Sequence, residues 1–144
     1  VSMNKIIGYD LSLISGSGFL QTHSTNPLLT SGTIDKAIAF FISKSDKYDS
    51  VFGVNRIQSR LYRSDGSAIN HNPEDLIRTQ DLQPVYEENS TLYIFSRNSF
   101  TNAANRRIGL RPYMFEVPHA EALDIDTQVD FDMACYLYDY FRKN

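Results

Sequence analysis

The chain has 144 residues, 42% hydrophobic and 22% charged, with 14 basic side chains against 17 acidic ones and a net charge of −3. That length suits one domain with a real core, and the acidic balance argues against nucleic acid or an anionic membrane surface as a partner. The only cysteine is Cys135, which rules out an internal disulfide and fits a reducing cytoplasm. No apolar run reaches the length of a membrane span, and no basic-then-apolar signal pattern opens the chain.

In chain order, Ser2 is placed to cap a short amphipathic helix through Met3, Ile6, Ile7, Leu11 and Leu13, closed by Gly16 and Gly18. Gly18 to Thr22 reads as a short buried strand, followed by a polar loop from His23 to Pro27. Ile34, Ala37, Ile38, Phe41 and Ile42 recur at helical spacing and predict a helix over Ser31 to Ser43. Ser50 to Val54 follows as a strand buried on both faces. This alternation of helix and strand predicts a parallel α/β sheet.

The middle differs. Arg60 to Arg63, a Ser64-Asp65-Gly66 turn and Ala68-Ile69 read as a hairpin, and a polar stretch from Asn70 to Gln83 extends it into an arm. Thr91 to Phe95 is a further buried strand, with Asn98 as the cap of a short helix after it and a loop from Asn102 to Gly109. Tyr113 to Val117 and Ala122 to Ile125 are two more strand candidates around Pro118. Val129, Met133, Ala134, Leu137, Tyr138 and Phe141 form the apolar stripe of a C-terminal helix, in which Cys135 is a packing residue.

One short stretch carries chemistry on spacing alone. If Ala122 to Ile125 is a strand, Leu123 and Ile125 share one face and Asp124 and Asp126 the other. Thr127 or Asp126 then caps the last helix, with Asp130 assisting its first turn. Two carboxylates at the carboxyl end of a strand suit a hard cation, although acids at a helix start also serve the helix itself.

Four stretches together resemble the acylneuraminate cytidylyltransferase family, the CMP-sialic acid synthetases, from about Phe19 to the C-terminus. Leu20-Gln21-Thr22-His23-Ser24-Thr25-Asn26-Pro27-Leu28 resembles the family's strand and Thr-Ser-Pro loop, and Tyr48 to Val54 its next strand. Arg78-Thr79-Gln80-Asp81 through Tyr86-Glu87-Glu88-Asn89 and on to Phe95 resembles the Arg-Arg-Gln-Asp and Tyr-Glu-Asn-Gly segment. Asp124-Ile125-Asp126-Thr127 with Asp130 resembles the acidic motif near the end.

The resemblance implies a three-layer α/β/α Rossmann-like nucleotidyltransferase fold, with a mostly parallel sheet and an inserted arm over about residues 57–90 of a single domain, 1–144. It implies transfer of CMP from CTP to an acidic nine-carbon sugar, with release of pyrophosphate. Magnesium (Mg2+) would be held by Asp124 and Asp126 as the catalytic pair. The sugar side falls to His23, Arg78, Gln80, Tyr86 and Asn89, since a carboxylate wants cationic or amide donors. Against this, Arg78 also reads as a solvated arginine, Tyr93 as core, and Arg60 as a partner-facing residue of the arm.

Three departures stand out. His23 takes the place of a glutamine, and Thr79 that of a second arginine, which leaves room for an octulosonate- or legionaminate-type sugar. Nothing matches the family's glycine-rich basic loop for the triphosphate; Gly16-Ser17-Gly18 precedes a strand and reads as a helix stop. The N-terminal CTP-binding segment is thus expected to be lacking, leaving an exposed sheet edge and apolar face that a homodimer or strand exchange would cover. The alternative is a catalytically inactive relative that binds or oligomerises.

Overall fold

The computed structural model describes residues 2–143. Its helices are α1 (Met3–Leu13), α2 (Ser31–Ser43), α3 (Arg97–Asn102) and α4 (Gln128–Lys143); its strands are β1 (Phe19–Thr22), β2 (Ser50–Ile57), β3 (Val85–Phe95) and β4 (Pro112–Glu116). The strands form one sheet of four in the order β1-β3-β2-β4.

The sheet is mixed, and this corrects the mostly parallel sheet expected from the alternation of elements. β3 runs antiparallel to both β1 and β2, while β2 and β4 pair in parallel. The cause lies in the arm. Parallel neighbours need a crossover, usually helical, whereas residues 58–84 hold only a 3-10 turn at Thr79–Asp81 and return the chain beside the strand it left. β3 therefore slots between β1 and β2, which α2 links as a crossover pair. Within the arm the expected hairpin shrinks to one antiparallel bridge, Tyr62 with Ala68, around a turn in which Gly66 takes φ +84.

Alternation along β3 sends Leu92 and Ile94 to one face and Tyr93 and Phe95 to the other. On the first face Ala37 of α2 meets Val51, Leu92, Ile94, Val117 and Ala122. On the second, Ile7 and Leu11 of α1 and Phe100 of α3 pack on Tyr93 and Phe95. Helices thus cover both faces, giving three layers. The central strands β2 and β3 carry the buried runs; β1, expected to be buried, alternates because it is an edge.

Four local expectations change. α3 is capped by Ser96, whose hydroxyl accepts from the Ser99 N–H at 3.0 Å while Ser99 Oγ accepts from the Ser96 N–H at 2.9 Å; Asn98 lies inside the helix. At the end of α1 the guanidinium of Arg97 donates to the carbonyls of Leu11 and Ile14, a role expected of the glycines, and Ser2 makes no side-chain cap bond. Ala122 to Ile125 is no strand: Pro118 has no N–H to continue the ladder, and its carbonyl accepts from the Glu121 and Ala122 N–H groups in a turn. Finally, α4 buries only Ala134 of its expected stripe, and Val129 is 70% exposed.

The ladder between β2 and β3 is broken by a bulge. Phe52 pairs with Tyr93 and Val54 with Glu88, so β3 takes five residue steps against two in β2, all opposite Gly53. A Cβ on Gly53 would sit 2.6 Å from Asn89 Oδ1 and closer still to Thr91 Oγ1. Gly53→Ala should therefore lower unfolding free energy by about 1–3 kcal/mol, the usual range for overpacking, as read by urea denaturation.

Candidate functional site

The bulge is built by one side chain. Asn89 Oδ1 accepts from both the backbone N–H (3.2 Å) and the hydroxyl (2.7 Å) of Thr91, closing an Asx turn within the strand. Its Nδ2 donates to Asn55 Oδ1 at 3.0 Å, and Asn55 Nδ2 donates to Glu87 at 3.0 Å. Ser90 at the apex takes φ +60, a left-handed conformation that glycine adopts more freely.

The bulge sets Glu88 opposite Val54 and leaves Ser90 just before Leu92, the partner of the last β1 residue, Thr22; ligands collect at the carboxyl ends of strands in open α/β sheets. A second network forms around Tyr93, whose ring is fully buried. Its hydroxyl donates to Glu88 and lies 3.2 Å from Ser90 Oγ. Burial, and then the Glu88 hydrogen bond, push the Tyr93 hydroxyl up to about 12, so it stays a neutral donor at ordinary pH. The guanidinium of Arg107 stacks on the ring at 3.5 Å, donates to Gln21 Oε1 at 3.1 Å, and stands 3.7 Å from Glu88. His23, just past β1, lies 6.4 Å from the Tyr93 ring, with Nε2 at 3.4 Å from Gln21 Nε2.

On the other side of Glu88 is a cleft of about 280 Å³, lined by Asn55, Glu87, Glu88, Asn89, Ser90, Ala122 and Asp124. Asp124 Oδ1 is buried without a hydrogen-bond partner, as is Oδ1 of Asn26. The two residues meet across one junction: Asn26 Nδ2 donates to the Leu123 carbonyl at 3.1 Å, and the Ile125 N–H to that of Thr25 at 2.9 Å. Buried acceptors are rarely left unmet. An orphaned carboxylate oxygen on a polar cleft therefore suits a hard cation such as Mg2+, which needs only one or two protein carboxylates beside water and phosphate. Among the described residues no group of three or more His, Cys, Asp or Glu is placed to hold a metal.

Asp126 is exposed, and its N–H donates to Asp130 at 3.2 Å. Thr127 and Asp130 cap α4 reciprocally: Thr127 Oγ1 accepts from the Asp130 N–H at 3.3 Å, and the Asp130 carboxylate accepts from the Thr127 N–H at 2.8 Å. Bonds from the Thr127 hydroxyl and backbone hold the Asp130 carboxyl below its usual range.

Of the residues singled out in the sequence, Asn89 and Asp124 share the cleft; Asp126 does not line it, and His23 lies apart, beside the Tyr93 ring. Arg78 and Gln80 lie in the arm, where Arg78 is paired with Asp81 at 2.8 Å, and the Gln80 carbonyl accepts from Gln58 at 2.7 Å. Arg60, expected to face a partner, donates to the Ile77 carbonyl within the same arm. Tyr86 stands on the outer part of β3 opposite Arg56. Sequence reasoning missed Gln21, Asn55, Glu88 and Arg107. Gly53 inside an apolar strand is the signal for the bulge; nothing local marks Arg107.

No family model and no curated protein matches this chain. Solved structures do match. A 4-diphosphocytidyl-2C-methyl-D-erythritol synthase from Anaerococcus prevotii superposes with a TM-score of 0.60 over 96% of this chain and 67% of that one, at 11% identity. At that identity the likeness is one of fold: an α/β domain with a mixed four-stranded sheet, shared with a synthase of a diphosphocytidyl product. No helix among the described residues is long and apolar enough to cross a membrane.

Removing the cap with Thr127→Ala should cost α4 about 1 kcal/mol, seen as several-fold faster amide exchange in its first turn. Because the Asp130 carboxyl is held low in the folded state, its support is present above the ordinary carboxylate pKa. It is lost only as pH falls through the depressed value, so the exchange difference should persist into mild acid and vanish below it.

Proposed function

We propose that this domain belongs to a CTP-using nucleotidyltransferase that joins CMP to an acidic sugar and releases pyrophosphate. The observation that carries the reading is Asp124 Oδ1, buried on a polar cleft with no partner of its own. The fold likeness to a 4-diphosphocytidyl-2C-methyl-D-erythritol synthase supports the same class, and the four ordered sequence stretches support the sialic-acid branch.

In this reading a sugar hydroxyl forms a bond to the α-phosphorus while the bond to the pyrophosphate oxygen breaks. Asp124 and Asp126 would hold Mg2+, which offsets charge on the phosphates when bound. The chain's own residues orient the acceptor. Asn89 fixes the bulge that shapes the cleft, the neutral Tyr93 hydroxyl keeps Glu88 in place, and His23 lies 6.4 Å from the Tyr93 ring. Arg78, Gln80 and Tyr86 are assigned to the sugar by the resemblance alone. Thr79 in place of a cation, with Arg78 already paired to Asp81, favours an octulosonate- or legionaminate-type acid as the second reading. A cytoplasmic setting follows from the CTP substrate and the lone cysteine.

Pyrophosphate release from CTP, Mg2+ and a panel of acidic sugars should be measurable, and Asp124→Ala and Asp126→Ala should each reduce it about 100-fold or more. Background release by the parent chain with every sugar would overturn transfer by this chain on its own, and equal release by parent and both variants would remove the metal role.

A homodimer is part of the same proposal. Val129, Met133 and Tyr136 follow one another at spacings of four and three along an exposed face of α4, a seam suited to a second helix. Asp132 lies toward one end and Arg142 and Lys143 at the other, so an antiparallel copy sets unlike charges together. Sedimentation should show a dimer that Met133→Asp with Tyr136→Asp converts to monomer; a monomeric parent would refute it.

A further inference from the structure

On the far side of Glu88 from Asp124 lies a second cleft, of about 340 Å³, whose lining includes Arg106, Arg107, Asn4, Ile108 and Glu88. Its charge is opposite to that of the Asp124 cleft: two guanidinium groups against one carboxylate. Glu88 lines both, so the two clefts adjoin through a single side chain.

Arg107 is the better built of the two cations. Its side chain is only 17% exposed, with its face on Tyr93 and one donor on Gln21. A guanidinium carries five donors in a planar fork, and stacking of its face leaves the edge to bind. Glu88, by contrast, is 43% exposed and stands 3.7 Å away, an ion-pair distance beyond hydrogen-bond reach. Arg106 is exposed and spends its Nε on the Ala103 carbonyl at 2.8 Å. The arrangement is a pre-oriented cation whose present carboxylate partner is held by Tyr93 and not by the guanidinium.

We infer that Arg107 is the specificity-determining residue for the anionic group of the acceptor, taking the carboxylate of an acidic sugar by displacing Glu88. The inference rests on the cytidylyl-transfer reading and sharpens it: the sugar spans Glu88, with its acid on Arg107 and its reacting hydroxyl toward the Asp124 cleft. It moves the acid-reading role from Arg78, in the arm, to the edge of the sheet. Glu88 is then a competitor of the substrate as well as a partner of Tyr93.

Calorimetric titration with N-acetylneuraminate, with 3-deoxy-manno-octulosonate, and with the neutral methyl ester of each tests this. The parent chain should prefer the acid over its ester by about tenfold or more, the worth of a charge-assisted pair. Arg107→Gln should erase that preference, weakening acid binding about tenfold more than ester binding. Glu88→Gln keeps a hydrogen-bond partner for Tyr93 and removes the competing charge, and it should tighten acid binding several-fold. If Arg107 acted only as a brace, Arg107→Gln would weaken acid and ester alike and Glu88→Gln would tighten neither; either result overturns the inference while the transfer reading stands. Should Arg107→Gln fail to fold by circular dichroism, Glu88→Gln alone decides. A parent chain that binds none of the acids would overturn the transfer reading itself, and the inference with it.

Discussion

The bond pair from Thr91 to Asn89 Oδ1 is small, yet the site hangs on it. An Asx turn normally closes a surface loop; here it sits within β3 and forces extra residues out of register with β2. That displacement separates Glu88 from Tyr93 along the ladder and then lets them meet again through a hydrogen bond. It also explains why β2 needs a glycine opposite, since the Asn89 and Thr91 side chains occupy the space of a Cβ at Gly53. Strand pairing, the glycine and the cleft beside Asp124 are therefore consequences of one local choice in conformation.

How much of this could be read from the residues depends on the range of the forces involved. The bounds of α2 follow from a helical repeat of Ile34, Ala37, Ile38 and Phe41, and they match the structure end to end. The buried strand at Thr91 to Phe95 was equally plain, because a continuous apolar run between polar loops has few other uses. Strand direction was not, since it is decided by whether the connection crosses over, and the arm conceals that in a polar stretch with no periodicity. At Ala122 to Ile125 the alternation fits a strand well, but the turn at Pro118 and the Asn26 amide bonded to the Leu123 carbonyl hold the segment as a loop. The Oδ1 of Asp124 is buried all the same, held there by the loop and not by a strand face.

The helix ends tell the same story. Ser96 and Asn98 are both good caps by residue type, and only the reciprocal bond with Ser99 selects between them. Thr127 with Asp130 was legible because both halves of the box lie in sequence at the required spacing. Arg97 and Arg107 could not be found this way. Each acts across more than eighty residues of chain, one on the carbonyls ending α1 and the other on Gln21.

Glu88 borders two clefts of opposite character, and this has a thermodynamic corollary. Any ligand that changes how Glu88 is paired in one cleft changes the free energy of binding in the other, and by the same factor in both directions. An anion that frees Glu88 from Arg107 leaves that carboxylate available to the cation side, so the two occupants assist each other. If an acid and a metal occupy the two clefts as proposed, they would bind with positive cooperativity through one shared side chain.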